Sequence, residues 1–290
     1  MLIPKVEFLD DLQATDAYQK QLKALYLTVS DNQYQTLTVL IDLNTYGTAV
    51  FDLLDCGIDL SFKRIKRIHH SFSDDLALIE MSLNSSKGQR LLEQLLALAL
   101  YENTYDISGY PHPRSVCLWL FDQPITKTLK HSIYLIGQAY GMGTNKRRYL
   151  RYWDPRVMAL LTHLWTDQQK LQVYKLGLSH IYYVDWNNEI NVLTFPTLNE
   201  VYPSNTEVAL EQLQPLPFRF SQQQWQLLGQ AEWINMILRQ LKERTVINTQ
   251  SYKTVMKQAL LIVQRQTTQQ QAVKNIVESL EQPRNQGVAR

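Results

Sequence analysis

The chain has 290 residues, 45% hydrophobic and 19% charged, with a net charge of +2 and a pI near 8.4. That composition excludes a disordered chain and is long enough for a core that needs no disulfide or metal staples. The charge is too small to argue for nucleic acid or an anionic membrane, so any basic surface must come from local clusters.

Met1 leads into LIPKVEFLDDLQ, where acidic residues come early and no long apolar run follows. This is not the pattern of a signal peptide. Residues 13–27 read as a first helix. YQTLTVLID (34–42) reads as a buried strand, ended by Asn44, Tyr46 and Gly47. TAVFDLLDCGI is expected to form a short helix that stops at Gly57, and DDLALIEMSL (74–83) a second central strand. Ser85 and Ser86 open a helix through KGQRLLEQLLALALY, with Leu91, Leu95, Leu98 and Ala99 as its apolar stripe. SVCLWLF (115–121) is a third strand. ITKTLKHSIYLIGQAY reads as a helix that runs into the loop GMGTNKR, and RRYLRYW (147–153) as a fourth strand feeding the helix DPRVMALLTHLW. SHIYYVDWNNEINVLTF (179–195) has the look of a hairpin turning at Asn187-Asn188.

Alternation of strand and helix predicts an α/β fold: a mixed or largely parallel sheet with flanking helices, followed by an all-helical C-terminal lobe. The predicted division is an α/β lobe over 1–200, a Pro-containing linker over 201–220, and helices from 221 ending in a loose tail. SQQQWQLLGQAEWINMILRQLKER places Trp225, Leu228, Ala231, Ile234, Leu238 and Leu241 on one face, with Ser221 and Gln224 as a capping box. Residues 251–265 and 269–281 read as two more helices.

Motifs that carry chemistry are few. Cys56 and Cys117 sit in apolar contexts and read as small buried hydrophobes, in keeping with a reducing cytosol. GMGTNK (141–146) lacks the Gly-Lys-Ser/Thr of a phosphate loop and is expected to follow a helix, not a strand. His69-His70 has no ligand-spaced partner, so no metal and no cofactor are predicted. FKRIKRIHH (62–70) is locally basic, and Asp185 and Glu189 are expected to keep the hairpin turn solvated.

The most informative stretch is RRYLRYWDPRVMALL (147–161). If it is a strand, Tyr149, Arg151 and Trp153 share one face and Leu150 and Tyr152 the other. Asp154 then stands at a helix N-cap and Pro155 at the first helical position, flanked by Arg151 and Arg156, either of which is placed to brace the Asp154 carboxylate. Arg151, Tyr152, Trp153, Asp154 and Arg156 are therefore candidate residues, for bracing this corner or for contacting a partner.

LRYWDPRVMALL resembles the hallmark "arginine, two aromatics, Asp-Pro-Arg-Val" of the type VI secretion adaptors often called Tap or Tec chaperones. TLTVLIDL, closing on Asp42, is similar to that family's opening strand. SVCLWLF followed by the helix with LKHSIYL, carrying Leu129 and His131, is similar to its next strand and helix. SQQQWQLL resembles its C-terminal helix. The resemblance spans roughly residues 30–245, and departs where MSLNSSKG replaces a Gly-Pro-Trp-Leu segment that many members carry. It implies a non-catalytic cytoplasmic adaptor that binds one cognate secreted effector protein and loads it onto the VgrG spike protein, without nucleic acid or membrane insertion. The competing reading is an α/β enzyme, a hydrolase or nucleotide-using transferase, with its site near Asp42, Asp154 and GMGTNK. A third is a nucleic-acid binder using 62–70 and 146–151.

Overall fold

In the computed structural model of the chain, the described residues are 11–44, 49–50, 54, 62–68, 73–103, 114–140, 146–185, 188–201 and 218–231, with residues 234, 238, 260, 271, 274 and 275. Most of the expected helix over 48–58, the His69-His70 pair, nearly all of the linker and most of the C-terminal helices lie outside them.

Helix α1 (Asp16–Asp31) starts at Thr15, whose hydroxyl accepts from the Tyr18 N–H. Strands β1 (Thr36–Asp42), β2 (Phe62–Ile68) and β3 (Ser73–Ser82) come next, then helix α2 (Ser86–Tyr101), capped by Ser85. Strand β4 (Val116–Phe121) leads to helix α3 (Lys127–Ile136), capped by Thr126. Two short strands, β5 (Gln138–Tyr140) and β6 (Arg147–Tyr149), precede helices α4 (Pro155–Leu164) and α5 (Asp167–Lys175). The hairpin β7 (His180–Val184) and β8 (Ile190–Thr194) is followed by a helical turn, α6 (Leu198–Val201). Strand β9 (Phe218–Arg219) and helix α7 (Gln222–Leu228) close the described elements.

Among the described residues the strands form two sheets. The large one runs β2-β3-β1-β4-β7-β8, and each neighbouring pair in it is antiparallel. The small one, β6-β5-β9, is mixed: β5 is antiparallel to β6 and parallel to β9. The expected α/β class is thus found, but parallel pairing is confined to the small sheet. Strand–helix alternation did not specify pairing direction, because the connections here return chains antiparallel.

Strands β1, β4 and β7 at the centre of the large sheet are buried on both faces. Leu37, Val39 and Ile41 of β1 pack with α1 and α2, while Leu40 packs with α3, α4, α5 and the small sheet. This two-sided burial makes β1 read as a continuous apolar run. Helix α2 is itself enclosed: Leu92, Leu96, Ala97 and Leu100 are as buried as the expected stripe. The reason is α1 lying across it, with the Tyr18 hydroxyl donating to the Glu93 carbonyl (3.2 Å) and the Tyr26 hydroxyl to the Glu93 carboxylate (2.7 Å).

The C-terminal stripe closes this core: Ile234 and Leu238 are buried in the cluster that holds α3–α5, with Trp225, Leu228 and Ala231 packed beside them, and Leu260, from the segment 251–265, joins the same cluster. None of the described helices is long and apolar enough to cross a membrane.

Candidate functional site

The site is the corner where residues 150–154 turn from the small sheet into α4. The expected strand over 147–153 stops at Tyr149. Leu150 donates to the Gly137 carbonyl (2.9 Å), and the Asp154 N–H to the Arg151 carbonyl (3.1 Å), which closes a turn. The strand alternation is therefore lost: Leu150, Tyr152 and Trp153 are all buried, and only Arg151 faces out. The turn lets the adjacent Tyr152 and Trp153 enter the same core cluster, whereas a strand would send them to opposite faces. The Trp153 ring meets those of Tyr149 and Tyr152 edge-on at 5.3 and 5.5 Å.

The helix cap is as expected. Asp154 is in an extended conformation with Pro155 after it, and its Oδ1 accepts from the Arg156 N–H (2.9 Å). Of the two candidate braces, Arg156 takes the role. Its Nε donates to Oδ1 (2.9 Å) and a terminal nitrogen to Oδ2 (2.6 Å), a bidentate fork. Burial pushes the Asp154 carboxyl upward, but the Arg156 fork and N–H outweigh it and hold the group below its ordinary range.

Arg151 goes elsewhere. Its guanidinium donates to Oδ2 of Asp42 at 2.6 Å, across 109 residues of sequence. Asp42 is 1% exposed. Its Oδ1 accepts from the Asn44 N–H (2.9 Å) and side-chain amide (2.8 Å), and its Oδ2 lies 3.4 Å from the Trp153 indole nitrogen. A β-bulge in the β1–β4 pairing sits beside it. Leu40 faces Leu118 but Ile41 faces Val116, so Cys117 is the extra residue. Cys117 and Leu118 consequently share one face of the sheet, and Asp42 donates its N–H to the Ser115 carbonyl (2.8 Å).

A second buried acid stands next to this bulge. Glu102, at the end of α2, accepts from the Ser115 N–H (2.8 Å), the Ser115 hydroxyl and the Val116 N–H (3.1 Å). Burial pushes its carboxyl up to about 7, against the pull of the Ser115 hydrogen bonds and the Arg114 charge. The Cys117 thiol is also pushed well up, by burial first and then by Asp42, Asp154 and Glu102. A thiol so placed is not a nucleophile.

Sequence reasoning singled out Arg151, Tyr152, Trp153, Asp154 and Arg156, and the structure brings all five together. It missed Asn44, Glu102 and Ser115, which lie in ordinary polar contexts with no sequence signal. Two other expectations need correction. GMGTNK is preceded by a strand, β5, not by a helix, because Gly137 ends α3 early. The segment lies between antiparallel strands, whereas a phosphate loop joins a strand to a helix. Asp185 does not keep its turn wet. It is fully buried, and its carboxylate accepts from the Glu189 N–H (3.0 Å) and the Asn191 amide (2.7 Å), tying the hairpin together.

Among the described residues no group of three or more His, Cys, Asp or Glu side chains is arranged to hold a metal ion. An open groove of about 450 Å³ lies along α1, lined by Gln19, Leu22, Lys23, Tyr26, Leu27 and Ser30. It belongs to the opposite face of the large sheet from the corner. No protein-family model, no curated protein and no solved structure matches this chain.

Proposed function

We propose that the chain is a non-catalytic adaptor that binds a cognate type VI secretion effector in the cytoplasm and loads it onto the VgrG spike protein. One observation carries the reading. The two sequence segments most like the adaptor family, the strand closing on Asp42 and the phrase LRYWDPRV, meet in one ion pair between Arg151 and Asp42. Residues set so far apart and joined this way form part of a scaffold, as a shared fold requires.

The same geometry weighs against the enzyme alternative near Asp42 and Asp154. A general base needs an open lone pair within reach of a substrate. Here Asp42 and Asp154 are 1% and 7% exposed, and every carboxylate oxygen already accepts from a neighbouring donor. On this reading the work is done by matched surfaces, not by bond making or breaking.

A thermal-shift panel separates the two, because a ligand that binds only the folded state raises the melting temperature. The adaptor reading expects no shift with nucleotides and a clear one with the purified effector from the neighbouring gene. A nucleotide-dependent shift that disappears in Asp42→Asn would replace the adaptor with the enzyme.

A further inference from the structure

The corner is fed by a strand that carries a second feature. Register in the small sheet places Arg147 on β6, Tyr140 on β5 and Arg219 on β9 in one row. Cross-strand neighbours share a face. Strands lie about 4.8 Å apart, so the two arginine backbones sit about 10 Å apart with a tyrosine between them. The Arg219 guanidinium lies 4.5 Å from the centre of the Tyr140 ring. The next row, Arg148–Ala139–Phe218, faces the core. Arg148, at the edge, has its guanidinium 5.9 Å from the centre of the Trp225 ring. Trp225 is tied to the same sheet, its indole N–H donating to the Tyr140 carbonyl at 2.9 Å.

Arg147, Arg148 and Arg219 are exposed, and none makes an ion pair with a described carboxylate. Lys146 is exposed beside them. In a chain of net charge +2, this is a local concentration of cations. Two of the guanidinium planes are held on aromatic rings, which leaves their N–H edges available and lowers the ordering cost of binding.

The geometry points to the outer face of the small sheet as a docking surface for an acidic extended segment of a partner protein, with Arg147 and Arg219 gripping carboxylates on either side of Tyr140. Naming that protein as the secreted effector rests on the adaptor reading above; the surface itself does not. Carboxylates suit the site because an arginine fork binds them bidentately. Single-stranded nucleic acid fits less well, since it needs open aromatic rings for base stacking. Here a guanidinium occupies both the Tyr140 and the Trp225 ring.

The test uses the full chain and a fluorescein-labelled peptide of alternating Glu and Thr, read by fluorescence anisotropy. The expected result is binding that weakens with salt, is absent for the matched Gln-Thr peptide, and falls at least about ten-fold in Arg147→Glu/Arg219→Glu. Arg147→Glu alone, which touches no ring, is expected to show part of that loss with an unchanged melting curve. Lys20→Glu/Lys23→Glu makes the same charge change on α1 and is expected to leave binding within about two-fold. Equal binding by wild type and Arg147→Glu/Arg219→Glu would overturn the proposal. So would tighter binding of labelled oligothymidylate that is lost in the same variant, which would assign the face to nucleic acid. No effector is present in this assay, so its failure removes the surface and leaves the adaptor reading standing.

Discussion

Arg151→Ala probes the ion pair that joins the two halves of the site. Asp42 would keep its two Asn44 donors on Oδ1, but Oδ2 would be left with only the long Trp153 contact. A hydrogen bond to a charged group contributes about 1.5–3 kcal/mol, and stranding a fully buried charge costs about 3–5 kcal/mol. Arg151 is half exposed at 50%, so water reaches the site and the lower range applies, about 2 kcal/mol. Unfolding entropy near 2.1 cal/mol/K per residue turns that into a fall of about 3 °C in melting temperature for a chain this long.

Chemical denaturation followed by Trp fluorescence is the assay, run as a double-mutant cycle with Asp42→Asn. Once the charge at 42 is gone, Arg151→Ala should cost under about 0.5 kcal/mol, giving a coupling of at least about 1 kcal/mol. Additive effects would refute the reasoning and mean that the ion pair holds nothing together.

Three further outcomes follow from the geometry. Asp154→Ala removes a cap and strands the Arg156 fork, and should lower stability by about 1–2 kcal/mol in a urea titration. Glu102 is raised to about 7 in the folded chain from an ordinary value of 4.5, so its favourable contribution is complete below about pH 4.5 and is lost as pH rises to about 7. Wild type should therefore lose on the order of 1–3 kcal/mol relative to Glu102→Gln across that window. The difference between the two proteins cancels the histidines, while Arg114, Tyr101 and Cys117 are the titratable neighbours that remain. Asp154 works in the opposite sense and only in stronger acid, since its carboxyl is held below 3.8. Gly88→Ala should destabilise by more than about 2 kcal/mol despite the helix preference for alanine, because a Cβ there would lie 1.9 Å from the Ser82 carbonyl oxygen; thermal melting checks it.

Local chemistry was readable from the sequence, and long-range pairing was not. Ser85, Asp154 and Ser221 announce helix starts because a short polar side chain before an apolar run has one good use there. β1 announces itself by its apolar run. QAY (138–140) reads as helix in sequence because nothing in it opposes one, and the strand exists only through its pairing with Arg147–Tyr149 and Phe218–Arg219. TDQQKLQVYK has too few apolar residues to show a helical stripe, and its one sequence signal is the Thr166–Gln169 capping box. FKRIKRI reads as a charge run in sequence, but it pairs with β3 and is an edge strand among the described residues. The corner's residue types were legible at 151–156. That Arg151 would choose Asp42 and Arg156 would choose Asp154 was not, since both arginines flank the same carboxylate in sequence.

Co-expression with the product of the neighbouring gene, followed by size-exclusion chromatography, bears most directly on the adaptor reading. The account predicts a one-to-one complex and a partner that is more soluble with this chain than without it. A partner equally soluble alone, and never eluting with this chain, would contradict it.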